Sequence, residues 1–191
     1  DRDDSVKRAI IVVAALCGWT LLLLRGVWAN PGRLLPSDLG DPLLNVAILH
    51  WNATVTPLTE AWWHFPSFAP MTDVTTFTEH LLGFWPIATP VVWATGNPVP
   101  AYNVAYAATF VLSGLAMYAL VVHLTGSASG AFVAALAFAF SPYRAAQLSH
   151  IQMLMTAGMP LALLGLHQFV VAGRRIGLAW IALGWLVTAL V

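Results

Sequence analysis

The chain has 191 residues, of which 59% are hydrophobic and only 8% are charged, and its formal net charge is zero. Ordinary soluble domains are about 25% charged, so this composition excludes a typical soluble protein and favours a polytopic membrane protein. The balanced charge offers no basic surface for nucleic acid. Because the chain begins without Met and ends inside an apolar run, we expect it to be part of a longer protein.

Apolar runs predict an all-α fold, a polytopic bundle of membrane helices. The first run begins near the N-terminus, and the second is rich in small residues that permit close helix packing. Pro160 predicts a kink or an opening in the fourth run. The five predicted spans lie at about residues 9–28, 101–124, 129–141, 151–173 and 176–191.

The distribution of Lys and Arg predicts the orientation in the membrane, because cationic loops stay in the cytoplasm. The pair at 7–8 places the N-terminus inside. The Arg pair at 174–175 also lies inside only if the short run Leu81–Gly96, which two prolines interrupt, does not cross. We therefore predict a re-entrant or interfacial helix there, within one long outer loop over 29–100. The alternative, in which this run crosses and the rule is broken, stays open.

The outer loop holds five of the nine tryptophans. Indole rings favour the headgroup level of a bilayer, so we expect short amphipathic helices that lie on the membrane surface.

Asp41 is the first candidate functional residue. Asp41 and Pro42 form a typical helix start, with the carboxylate as N-cap and proline at the first helical position. Asn45 follows one turn later on the same face. A cap is the commoner role for such an aspartate, and it is compatible with chemistry, because the helix dipole stabilises the ionised carboxylate.

Two further polar groups stand at the entrance of the Pro-interrupted run. Glu79 precedes about ninety residues that hold a single formal charge, Arg144. Glu79 could equally be an ordinary first-turn residue of the next helix, and His80 could be an interfacial side chain.

Arg144 lies in the stretch SPYRAAQLSHIQ. If this stretch is helical, Arg144, Gln147 and His150 step by three residues and can converge on one ligand. An ionisable residue at membrane depth is a functional hypothesis by default, and a guanidinium suits a phosphate oxygen. We expect its partner to be Asp41, Glu79 or a lipid phosphate. The alternative is an Arg that extends to the interface at a helix end. The histidines inside apolar runs, His123 and His167, are expected to be packing residues.

Three stretches carry a family resemblance: GDPLLNVAILHWNA, FTEHLLGFWPIATPVVWATGNPVPAYN and LSGLAMYALVVHLTGSASGAFVAALAFAFSPYRAAQLSHIQML. Over roughly Val6 to Gly173 the chain resembles the N-terminal part of bacterial polytopic glycosyltransferases of the GT-C superfamily, in particular the uncharacterised or YfhO-like members.

The resemblance implies a bacterial inner-membrane enzyme that transfers a sugar from a polyprenyl-phosphate donor on the outer face. Asp41 matches the acidic residue that activates the acceptor, and Glu79 and His80 would position that acceptor. The residues implied near the donor phosphate are Arg144, Gln147, His150 and Gln152. A divalent metal ion is a candidate cofactor, although the acidic residue that several relatives carry in this second loop is absent here.

Two other classes of function stay open. One is a non-catalytic scaffold subunit that binds lipids and other membrane subunits within a larger complex. The other is a lipid or solute transporter whose re-entrant helix lines a path.

Overall fold

The computed structural model describes the backbone of residues 2–191 and the side chains of residues 6–191. Within these residues the secondary structure is entirely helical, which confirms the predicted all-α class. Two short 3₁₀ helices, Val74–Phe77 and Leu82–Phe84, lie in the outer loop. The α-helices are α1 (Arg2–Leu23), α2 (Arg25–Trp28), α3 (Asp41–Thr54), α4 (Glu60–Trp63), α5 (Trp85–Thr95), α6 (Pro98–Thr125), α7 (Ala128–Ala139), α8 (Pro142–Ala146), α9 (Ile151–Leu154), α10 (Gly158–Val170) and α11 (Ile176–Ala189).

Three helical segments of the described chain are long and apolar enough to cross a membrane: Val6–Leu23, Pro98–Thr125 and Ile151–Val170. The last of them is interrupted between α9 and α10, close to the position where Pro160 predicted an opening. The apolar helices α7 and α11 have 12 and 14 residues. At 1.5 Å per residue they are shorter than a typical hydrocarbon core of about 30 Å.

The tryptophans of the outer loop fasten its short helices to α3. The indole N–H of Trp62 donates to the Asn52 side chain at 2.7 Å, and that of Trp85 donates to the Asn52 carbonyl at 3.0 Å. Trp93 donates to the carbonyl of Ala53 at 2.8 Å. Asn52 is buried and its own amide donates to the carbonyl of His80 at 2.8 Å. These indole rings therefore hold the short helices of the outer loop against α3 through hydrogen bonds, in addition to any contact with lipid headgroups.

Within the run Leu81–Gly96, the residues Trp85–Thr95 form the helix α5, which has 11 residues and is about 16 Å long. Its flanks attach to other parts of the outer loop: Trp85 bonds to α3, and Asn97 donates to the carbonyl of Gly32 at 2.9 Å. These attachments agree with an interfacial or re-entrant helix. Its placement relative to the bilayer stays a prediction.

The helices α10 and α11 form a tight antiparallel pair through glycines that recur every seven residues. A Cβ on Gly165 would lie 2.4 Å from the carbonyl oxygen of Gly177, and a Cβ on Gly158 would lie 2.4 Å from that of Gly184. Any side chain at these positions forces the backbones apart, so glycine is what permits this close approach.

Candidate functional site

The Asp41 carboxylate lies 3.1 Å from Nε2 of His150, and both side chains are about half exposed. The contact joins the first turn of α3 to the loop between α8 and α9. The segment 29–100, which we predict to be an outer loop, and the stretch 141–152 therefore meet at this contact. We call Asp41 and His150, with the groups around them, the Asp41 cleft.

The prediction that Asp41 caps α3 is wrong. The helix begins at Asp41 itself, Gly40 occupies the cap position, and no side chain makes a capping hydrogen bond. As the first helical residue, Asp41 directs its carboxylate away from the helix axis and towards His150. It still benefits from the positive end of the helix dipole.

A second carboxylate reinforces the same contact. Asp38 accepts hydrogen bonds from the Ser149 hydroxyl at 2.5 Å and from the backbone N–H of Gly40 at 2.8 Å. The hydroxyls of Ser37 and Ser149 lie 2.8 Å apart. The hydrogen bond from Ser149 lowers the pKa of Asp38, with a smaller contribution from Gly40. Asp38 therefore stays ionised at neutral pH and holds the loop that presents His150.

Behind the cleft lie two buried polar groups. Asn45, one turn after Asp41 as predicted, is 1% exposed, and Tyr102 of α6 is fully buried beside it. Neither the Asn45 Nδ2 nor the Tyr102 hydroxyl makes a hydrogen bond of normal geometry. Buried polar groups are usually paired, and these two enclosed side chains lie beside each other within the bundle.

Arg144 is 1% exposed and points into the helical core, away from the cleft. Its guanidinium donates to the carbonyl of Leu154 at 2.5 Å, and its remaining hydrogen bonds go to hydroxyl groups. Its charge also lies over the Phe110 ring, 4.4 Å from the centroid. The three hydroxyl acceptors are Thr109 at 3.1 Å, Ser113 at 3.3 Å and Thr156 at 3.0 Å. We call this set the Arg144 cage.

The cage lies at the break in the interrupted span. The α9 helix ends at Leu154, and Pro160 has no N–H to donate in the next turn. At the break, Arg144 donates to the carbonyl of Leu154, which also accepts from the backbone N–H of Thr156. Burial lowers the pKa of Arg144 to about 10, and Tyr106 opposes that shift. The guanidinium is therefore still charged at neutral pH.

The predicted partners of Arg144 were Asp41, Glu79 or a lipid phosphate. No carboxylate among residues 6–191 pairs with it; its partners within the chain are neutral oxygens and an aromatic ring. The lipid phosphate stays a prediction. The convergence with Gln147 and His150 required one helix over 141–152, and the helix α8 ends at Ala146. The backbone N–H of Gln147 donates to the carbonyl of Arg144 at that helix end.

Glu79 and Gln152 lie together. The resemblance implied that Glu79 positions the acceptor and that Gln152 lies near the donor phosphate of the same site. The Gln152 amide donates to Glu79 Oε1 at 3.0 Å, and the Thr78 hydroxyl donates to Oε2 at 3.1 Å. His80 accepts from the backbone N–H of Leu82 at 3.3 Å. Burial lowers the pKa of His80, while the carbonyl of Leu190 opposes this, so the ring is neutral at pH 7. Since Gln152 follows His150 by two residues, one short segment contacts both Glu79 and Asp41.

The described residues contain no group of three or more His, Cys, Asp or Glu side chains that could hold a metal ion. The Asp41 cleft supplies two carboxylates and one imidazole, and Asp38 is already committed to Ser149 and Gly40. This arrangement does not fit a resident divalent ion.

Sequence reasoning missed the partners that build both sites. Ser149 and Asp38 organise the cleft, and Thr109 with Ser113 organise the cage. The spacing of four residues between the last two, on a single face of an apolar helix, is a signal that could have been read. No family model, curated protein or solved structure matches this chain.

Proposed function

We propose that the chain is the acceptor-activating part of a membrane glycosyltransferase of the GT-C type, located in a bacterial inner membrane with the Asp41 cleft on the outer side. The contact between Asp41 and His150 is the observation that carries this proposal. It places an ionisable pair, half exposed, at the end of a bundle whose helices are apolar enough for a membrane.

In the proposed reaction, Asp41 accepts the proton of an acceptor hydroxyl while that oxygen bonds to the anomeric carbon of the sugar. The bond from this carbon to the donor phosphate breaks, and the phosphate oxygen leaves with the electron pair. His150 holds the carboxylate in place and orients it. General-base catalysis of this kind contributes about 100- to 10,000-fold to a rate.

The leaving phosphate needs a stabilising group other than Arg144. That guanidinium is enclosed by α6 and the break between α9 and α10, and it already donates to four oxygens. Among the residues that the resemblance places near the donor phosphate, His150 is the one that reaches the cleft. In this proposal the role of Arg144 is structural.

The test uses membranes that contain the full chain, supplied with polyprenyl-phosphate donors carrying radiolabelled hexoses or pentoses. Transfer of label to lipid or protein acceptors is counted. We expect Asp41→Asn to reduce transfer at least about 100-fold and His150→Gln to reduce it less. The matched control is Glu60→Gln, which removes an exposed carboxylate elsewhere in the outer loop.

Unchanged transfer in a folded Asp41→Asn protein would remove Asp41 from the chemistry. Absence of transfer with every donor, together with stoichiometric co-purification of other membrane subunits, would instead favour the scaffold.

A further inference from the structure

An apolar groove of about 470 Å³ runs between α5, α6, α10 and α11. Its size falls within the roughly 300–1,000 Å³ of small-molecule sites. Among its lining residues, Leu112, Leu183 and Leu186 are exposed on the outside of the bundle. The groove is therefore open to the side, where the acyl chains of a membrane would lie against these apolar helices.

A polar pocket adjoins one end of this groove. Val191 lines both, and the backbone N–H of Gly83 in the groove wall bonds to the carbonyl of Leu190. The pocket is lined by Glu79, His80 and the segment 76–78. The apolar groove with the polar pocket at its end matches an amphiphile, which has an apolar chain and a polar headgroup.

The charge of the pocket selects the kind of amphiphile. Glu79 has no cationic partner in the described part of the chain; its neighbours Gln152 and Thr78 are neutral. His80 is neutral at pH 7 because burial lowers its pKa. The pocket is thus negative, which disfavours a headgroup that presents only phosphate, such as a polyprenyl phosphate. A carboxylate accepts about four hydrogen bonds, so each oxygen of Glu79 can accept one more.

We propose that the groove and its pocket bind a phospholipid with a primary amine headgroup, with one acyl chain in the groove and the ammonium group donating to Glu79. A primary ammonium supplies both the positive charge and the N–H donors that the pocket lacks. This lipid site is separate from sugar transfer at Asp41. It is linked to the Asp41 cleft through the segment that holds His150 and Gln152, and through α3, whose Asn52 donates to the carbonyl of His80.

The first arm of the test changes the lipid and leaves the protein intact. The full chain is purified in detergent, delipidated, and titrated with phosphatidylethanolamine, its N-methyl and N,N-dimethyl forms, phosphatidylcholine and phosphatidylglycerol, and bound lipid is counted by native mass spectrometry. We expect affinity to fall stepwise with methylation, with phosphatidylethanolamine bound about tenfold more tightly than phosphatidylcholine, as for the loss of a charge-assisted hydrogen bond. Equal affinity along the methylation series would overturn the proposal.

The second arm changes the protein. Glu79→Gln should abolish the preference for the amine headgroup, whereas Glu60→Gln should keep it. Ala119→Phe fills the groove and should lower the binding of every lipid about tenfold, whereas Val133→Phe, at a side chain that is 65% exposed and outside the groove, should not. A preference that survives in Glu79→Gln would show that the carboxylate does not select the headgroup. Because no arm measures transfer, failure here leaves the role of Asp41 untouched.

Discussion

The Asp41 cleft and the Arg144 cage contain the two most conspicuous charges of the chain, yet they are opposite kinds of site. Asp41 is half exposed, has one polar partner and leaves most of its lone pairs free. Arg144 is 1% exposed and donates to four oxygens. A half-exposed group with unused hydrogen-bonding capacity can bind a substrate, whereas a guanidinium enclosed by protein oxygens and an aromatic ring is suited to supporting structure. Rarity of charge in a membrane sequence therefore marks an important residue without saying which of the two roles it has.

The largest expected effect is on folding, for Arg144→Ala. This change removes the guanidinium donor from Thr109 and Thr156 and takes one donor from Ser113 and from the Leu154 carbonyl, so we expect a loss of about 3 kcal/mol in the free energy of unfolding. Thermal unfolding in detergent measures it, with Arg33→Ala, which removes an exposed cation, as the control. A stable Arg144→Ala protein that fails only in sugar transfer would return Arg144 to the active site.

Arg144→Lys is the sharper test of the cage. An ammonium group has no planar fork and cannot reach Thr109, Ser113 and Leu154 together. We expect it to cost about 2 kcal/mol of stability. The phosphate-binding hypothesis instead predicts nearly normal stability with weakened lipid-phosphate binding, so the same unfolding curve and a binding assay separate the two.

Thr109→Val removes one hydroxyl of the cage at nearly constant volume. It deletes the acceptor at 3.1 Å from the guanidinium, so we expect a loss of about 1 kcal/mol. Ser129→Ala, at an exposed position in the first turn of α7, is the matched loss of a hydroxyl outside the cage. Equal unfolding temperatures for these two variants would contradict a contribution of Thr109 to the cage.

Asp41→Asn should have almost no effect on stability. Its carboxylate is about half exposed, and exposed ion pairs contribute less than about 1 kcal/mol. We expect an unfolding temperature within error of the unsubstituted chain, in the same samples in which transfer is measured. A large destabilisation would show that the cleft is structural, like the cage.

The smallest effect concerns the pH dependence of the cleft. The hydrogen bond from Ser149 lowers the pKa of Asp38, so this link is fully present above the ordinary carboxyl pKa of about 3.9 and is lost as the pH falls through the lowered value. Ser149→Ala should move the pKa of Asp38 up towards its ordinary value. Carboxyl-carbon NMR of labelled aspartate, with Ser129→Ala as control, checks this; an unchanged titration would show that Ser149 does not bond to Asp38 in solution.

The composition and the apolar runs determined the class of this protein, because hydrocarbon solvent leaves few alternatives to a helix. Of the polar residues that the sequence singled out, Asp41 lies against His150 and Glu79 lies against Gln152. Only the tertiary structure decided what each residue touches. Arg144 faces α6, where its guanidinium donates to Thr109 and Ser113, and the periodicity of the sequence does not reveal partners more than thirty positions away. Asn52 likewise is a hydrogen-bonding centre of the outer loop, and its three partners lie ten to thirty-three positions away in the sequence. Helix formation is a local property that a sequence displays directly, whereas the burial and pairing of a polar group depend on which helices meet around it.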